Sequence, residues 1–178
     1  TGFLRSRWLP ISTFIATTKS LGENLEESLV SNLAFSDDRR AGNYYRMISG
    51  KRLLWGRGVS AMPLPTRREL EKLVRTDIKF FLPDLIDKIG GIEKLEFDCV
   101  WSGKMAYSFN MMPYVGKVTE RVYASMGFGG HGMNTAPASA IVLAEFLLGI
   151  SDRVSIFKNI PFSWNGSRLG LHVAEGVC

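Results

Sequence analysis

The stretch Arg121-Val122-Tyr123-Ala124-Ser125-Met126 runs into Gly127-Phe128-Gly129-Gly130-His131-Gly132, and an apolar, alanine-rich segment follows from about Thr135 to Leu148. β-branched and aromatic residues predict a strand up to Met126. The apolar segment predicts a helix, with Gly149 as its C-cap. The glycines match G-x-G-x-x-G at Gly127, Gly129 and Gly132, between a strand and a helix as that pattern requires. Glycine lets the backbone turn tightly and approach a ligand closely. A helix start offers N–H groups and a positive dipole end to an anionic or electron-rich group. A complete dinucleotide fold would need further β-α units and an acidic residue closing its second strand. After Gly132 no such strand follows, and Glu145 lies inside the helix. The segment therefore either touches a cofactor or is a tight turn packed by Ala136, Ala138, Ser139, Ala140 and Ala144. It does not begin a pyrophosphate-binding domain.

Working back towards the N-terminus, Trp8–Thr18 reads as a strand, and Leu25, Leu29 and Leu33 predict a short helix or helical loop over 21–33. Asn43–Ile48 and Arg52–Trp55, separated by Ser49-Gly50-Lys51, predict a hairpin. Beyond Pro63 and Pro65, Thr66 and Glu69 form a capping-box pattern. The helix they start carries Leu70, Leu73, Val74, Ile78 and Phe81 on one face and is expected to end near Pro83. Ile92–Tyr107 contains another β-rich stretch, and Ser151–Cys178 has loop character. This order predicts an α+β architecture: a mostly antiparallel sheet with a helix against it, and a terminal strand–glycine turn–helix.

A hydrophobic fraction of 46% and a charged fraction of 22% over 178 residues describe a globular chain that buries roughly two thirds of its unfolded surface. The net charge of +5 and pI near 9.4 come from scattered pairs such as Arg39-Arg40 and Arg67-Arg68 with acidic neighbours, so no nucleic-acid partner is expected. Two cysteines, Cys99 and Cys178, frame neither a metal site nor a disulfide network and suit a reducing, cytoplasmic setting. Ala140–Ile150, the most apolar run, is shorter than the roughly 20 residues that span a bilayer. Neither a metal nor a membrane is expected. The sequence opens on Thr1, so we expect a piece of a longer protein.

Three sets of motifs occur in order. They are Tyr44-Tyr45-Arg46 with Arg52-Leu53-Leu54-Trp55-Gly56; Trp101-Ser102-Gly103 with Pro113-Tyr114-Val115-Gly116; and Val122-Tyr123-Ala124 with the glycine turn and its helix. This series resembles the D-amino-acid-oxidase-like family of FAD-dependent oxidoreductases, in its amine-oxidising branch, over about Pro10 to Gly149. The resemblance implies an FAD cofactor and a small-molecule amine or amino-acid substrate. It implies a substrate-binding antiparallel domain over 1–112, a return segment of the FAD-binding domain over 113–150, and a tail over 151–178. The ADP-binding Rossmann half would be a missing N-terminal part of the same protein. The isolated piece would be inactive, and its uncovered apolar surface would drive it to form a homodimer or to aggregate.

Carried over residue by residue, the resemblance places Gly127, Phe128, Gly129, Gly130, His131, Gly132 and Met133 near the isoalloxazine and ribityl part of FAD. His131 would hydrogen-bond the flavin or position the turn; alternatively it caps or packs the loop. Tyr45 and Arg46 lie on a substrate-facing strand, but period-2 alternation lets only one of the two point inward. Trp101 is either core or close to the flavin. Simple α-amino-acid oxidisers of the family place an arginine just after W-x-G; here Lys104 follows Gly103, which argues for an amine-bearing substrate. A second reading is a non-catalytic binding module that keeps only the substrate domain, and a third is a nicotinamide dehydrogenase, which the topology disfavours.

Overall fold

Cross-strand register decides which side chains share a face. The computed structural model describes residues 4, 7–22, 33–39, 42–49, 51–61 and 65–161. The helix expected within 21–33 falls largely outside them. The chain divides into two compact units, one of Ser12–Gly103 and one of Lys104–Val177 with Thr1–Ile11.

In the first unit, strands β1 (Leu9–Thr18), β2 (Ala34–Ser36), β3 (Tyr44–Ile48), β4 (Arg52–Ser60) and β5 (Phe97–Tyr107) form a sheet in the order β2-β3-β4-β1-β5. The pairs β2–β3, β3–β4 and β1–β4 are antiparallel. The expected hairpin is present, and its second strand extends to Ser60. Tyr45 pairs with Trp55, Met47 with Leu53, and Ala16 with Trp55. That row of side chains faces helix α1 (Arg67–Phe81), whose Leu70, Val74 and Ile78 recur every fourth residue and are buried. Phe14, Ala16, Leu53, Trp55, Leu95 and Phe97 complete the core. Burying each large apolar side chain contributes about 1.5–3 kcal/mol.

The capping box forms as the sequence predicts. Glu69 N–H donates to Thr66 Oγ1 at 3.3 Å, and Thr66 N–H donates to Glu69 Oε2 at 2.8 Å. Arg57 on β4 reaches Asp77 on α1 at 2.7 Å and ties the helix to the sheet. The helix stops at Phe81, next to Pro83 as the sequence predicts, and a second helix follows directly. Leu82 leaves the helical region (φ −130°, ψ 57°), and α2 (Pro83–Ile89) starts at once, burying Leu85 and Ile86. Proline at a first helical position gives up only an N–H that has no partner there, so it starts this helix as readily as it ends the previous one. The β-rich stretch after Gly91 also starts later than expected, because Ile92–Lys94 forms a 3₁₀ turn.

In the second unit, β6 (Tyr114–Thr119) and β7 (Val122–Met126) form an antiparallel ribbon. Tyr114–Gly116, quoted above only as part of a motif, lies on β6, because pairing with β7 supplies the ladder that local propensity does not announce. Helix α3 (Gly132–Leu147) starts three residues earlier than Thr135. It ends in a Schellman arrangement: Gly149, at φ +70°, donates to Phe146 O, and Ile150 N–H donates to Glu145 O. Ser125 Oγ donates to Ser139 Oγ at 3.0 Å, joining β7 to α3. Arg153, in a closing 3₁₀ turn (Arg153–Phe157), donates Nε–H to Glu145 Oε2 at 2.9 Å.

Candidate functional site

The glycine turn holds its shape by packing. Phe128 bridges Tyr107 in an isolated antiparallel pair. Gly127 (φ +81°) and Gly129 (φ +56°) take left-handed conformations that other residues adopt at a cost. A Cβ on Gly129 would lie 2.8 Å from Tyr107 Cε1, one on Gly130 3.3 Å from Tyr107 Oη, and one on Gly127 3.2 Å from Ser108 Cβ. These three glycines answer to Tyr107 and Ser108, which sequence reasoning did not single out.

Gly132 differs. Its φ is −62°, and the nearest atom to an added Cβ is Phe128 Cβ at 3.9 Å. Nothing among the described residues requires glycine there. Gly132 is the first residue of α3, no side chain caps that helix start, and the next residue, Met133, is 94% exposed. An exposed, uncapped helix start is where an external electron-rich group fits. The helix start at Gly132 and Met133 is open enough to fit a cofactor such as a flavin, whereas packing accounts for Gly127, Gly129 and Gly130.

His131 is exposed and makes no capping hydrogen bond with its ring; its carbonyl accepts from Thr135 Oγ1 at 2.6 Å. With Phe128, Met111, Met112, Thr135 and Ile156 it lines a mainly apolar cleft of about 440 Å³. One wall comes from a tight turn in which Met112 N–H donates to Asn110 Oδ1 at 3.2 Å and Met111 sits at φ +61°.

On the sheet, the structure separates the adjacent pair Tyr45 and Arg46. Tyr45 is stacked between Phe35 (5.2 Å, 17°) and Trp55 (4.9 Å, 7°) on the α1 side, and burial raises its phenol above the ordinary tyrosine value. Arg46, one residue on, therefore takes the opposite face with Tyr44. Tyr44 was not singled out by the sequence analysis. Its signal was the hairpin register, which sets it across from Gly56. Trp101 is 45% exposed and so is not core, and Lys104 is exposed with no ion-pair partner among the described residues. Among the described residues no three His, Cys, Asp or Glu side chains are grouped to hold a metal ion, and no helix is long and apolar enough to cross a membrane.

A family model described as FAD dependent oxidoreductase matches residues 2–146. The chain belongs to the FAD-dependent oxidoreductase family. Gamma-glutamylputrescine oxidoreductase of Escherichia coli (strain K12) is 29% identical to this family member over 159 residues, covering 89% of this chain and 35% of that protein. The fold is shared with glycine oxidase from Geobacillus kaustophilus, at a TM-score of 0.61 and 18% identity over 83% of this chain and 38% of that one. It is also shared with L-proline dehydrogenase from P. horikoshii, at 0.58 and 20% over 84% and 39%. This FAD-dependent oxidoreductase chain spans about a third of the length of the curated relatives it matches.

Proposed function

We propose that the chain is the C-terminal part of a flavoenzyme that oxidises the C–N bond of an amine or amino acid. The observation that carries the reading is Gly132, a glycine whose added Cβ would meet no described atom closer than 3.9 Å, at an uncapped helix start. It stands within a chain whose family uses FAD. Bound FAD supplies the two-electron acceptor. Gly132 and Met133 would hold it through the helix start, with backbone N–H groups favouring negative charge. Gly127 to Gly130 fix the angle at which β7 delivers that helix start, and His131 would orient the turn or donate to the ring. Arg46, Trp101 and Lys104 are the side chains proposed to meet substrate, with Tyr45 as the stacked support behind Arg46. The substrate would lose a hydride from the carbon bearing nitrogen, leaving an imine for water to hydrolyse.

Residues 1–112 would form the substrate domain and 113–150 the return to the flavin domain. The ADP-binding half would belong to the two thirds of the relatives' length that this chain does not span. The chain alone would then be inactive. The test is a visible absorbance spectrum of the purified full protein, followed anaerobically with an amine that has a C–H next to nitrogen. A retained flavin spectrum that bleaches on adding the amine supports the reading. A full protein that neither carries nor takes up flavin overturns it.

A further inference from the structure

Helix α1 gathers on one face cations that look scattered in the sequence. It carries Arg67, Arg68, Lys72, Arg75 and Lys79 against Glu69, Glu71 and Asp77. All three carboxylates are committed. Glu69 turns back onto Thr66, Glu71 accepts from Arg67 Nε–H at 2.8 Å, and Asp77 is held by Arg57 of β4. The other four cations recur at spacings of four, three and four residues. Helix geometry places them within an arc of about 60° along about 16 Å of the axis. None of the four has an ion-pair partner among the described residues. Arg75 is half-buried, donates to Ile92 O at 2.9 Å and lies over the Phe97 ring, and neither partner is charged. Glu96, whose carboxylate it also favours, is already paired with Lys19 at 2.6 Å. The acids Asp84 and Asp87 belong to α2, beyond the break at Leu82.

Apolar side chains that the core does not use stand on the same exposed side. Leu70, Val74 and Ile78 are buried against the sheet, whereas Leu73 is 39% and Phe80 77% exposed. Leu73 and Phe80 are two turns apart, so they lie on one line beside the cations. Phe80 meets Phe81 edge-on at 5.0 Å, a contact that supports its ring without covering it. Cations next to exposed aliphatic and aromatic side chains, on a helix lying flat against its own sheet, are complementary to an anionic bilayer surface. The cations meet headgroup phosphates, and the apolar side chains enter the acyl boundary. A duplex nucleic acid would engage the cations and leave Leu73 and Phe80 unused. A single strand would need a series of free rings, and Phe81 is taken up by Trp55 and Arg39.

We infer that α1 is a membrane-contact surface that seats the protein reversibly on an anionic bilayer. Arg68, Lys72, Arg75 and Lys79 supply the attraction, and Phe80 and Leu73 the apolar contact. One helix face suffices for this and no spanning segment is needed, so the short apolar run over 140–150 does not bear on it.

The test is co-sedimentation of the full protein with vesicles of phosphatidylglycerol and phosphatidylcholine in equal parts, and with phosphatidylcholine alone. At about 0.1 M salt the protein should partition at least tenfold better into the anionic vesicles, and about 0.5 M salt should release it. Lys72→Gln/Lys79→Gln, which keeps good helix formers, should lower that partition at least tenfold, at about fivefold per cation. Phe80→Ser should lower it about fivefold or more. Arg121→Gln/Lys158→Gln removes the same charge from exposed positions of the second unit and should stay within twofold of the parent. Equal partition into both kinds of vesicle, or no partition into either, overturns the inference. So does a loss in the Arg121/Lys158 variant as large as that in the Lys72/Lys79 variant. Retention of duplex DNA that depends on Lys72 and Lys79 but not on Phe80, without vesicle binding, assigns the stripe to a nucleic acid and also overturns it. Flavin chemistry plays no part in these readouts, so their failure leaves the amine-oxidation reading standing.

Discussion

Two glycines of one turn should respond in opposite ways to the same substitution. Gly129→Ala must place an alanine at φ +56°, which costs about 1–2 kcal/mol for an L-residue. Its methyl would also meet Tyr107 Cε1 at 2.8 Å, roughly an ångström inside normal contact. Crowding of that kind costs about 1–3 kcal/mol when the neighbour is a ring held on a strand. The sum is about 2–5 kcal/mol of destabilisation. Gly132→Ala stands at φ −62° in the first turn of α3 with nothing closer than 3.9 Å. There alanine should stabilise by about 0.4–1 kcal/mol, mostly by restricting the unfolded chain.

The assay is urea unfolding followed by far-UV circular dichroism, with the double variant Gly129→Ala/Tyr107→Leu to isolate the overlap. The double variant should lose less than the two single effects added together, because removing the ring removes the clash. In the full protein, Gly132→Ala should keep this stability and yet retain less FAD, since its methyl would project where the flavin is proposed to lie. If Gly129→Ala unfolds at the parent's urea midpoint, or Gly132→Ala destabilises by a kilocalorie or more, the division of the turn into packing and ligand glycines is wrong.

Other outcomes follow from the core and the cap. Trp55 is fully buried, and its Nε1–H lacks a hydrogen-bond partner. Trp55→Ala should therefore cost about 3–5 kcal/mol of unfolding free energy, whereas Trp55→Phe, which removes the orphan donor along with some volume, should stay within about 1.5 kcal/mol of the parent. Thr66→Ala should cost about 1 kcal/mol, read from the same urea curves. The carboxyl of Glu69 is held below the ordinary glutamate value of 4.5 by its hydrogen bonds to the Thr66 side chain and backbone. Its contribution is therefore complete above that value and is lost as pH falls through the lower folded value. Stability measured from pH 6 down to pH 3 should fall less steeply in Glu69→Gln than in the parent.

The first unit was legible because its signals are local. Leu70, Val74 and Ile78 mark one helix face, Thr66 and Glu69 mark its start, and the turn at 49–51 marks the hairpin, so these elements appear where the sequence predicts them. The second unit was less legible. No strand was expected over 114–119, and only the ladder with β7 makes it one. In the first unit, Pro83 marked the end of one helix as expected but not the start of the next, because the sequence does not say that Leu82 alone absorbs the break.

The candidate site divides in the same way. The resemblance carried by the order of the motifs pointed to the flavin-dependent family, and through it to the glycine turn and to the strand with Tyr45 and Arg46. Which of that pair faces the helix depends on strand register, and register is fixed by partners distant in sequence. It stacked Tyr45 on Trp55 and laid Tyr44 on Gly56, and so left Arg46 exposed on the opposite face. The glycine pattern likewise could not say why each glycine is there. Three of them face Tyr107 or Ser108 across the turn, and Gly132 has no described atom closer than 3.9 Å to an added Cβ. A sequence records which residues can adopt a conformation, and close approach across the fold decides which of them had to.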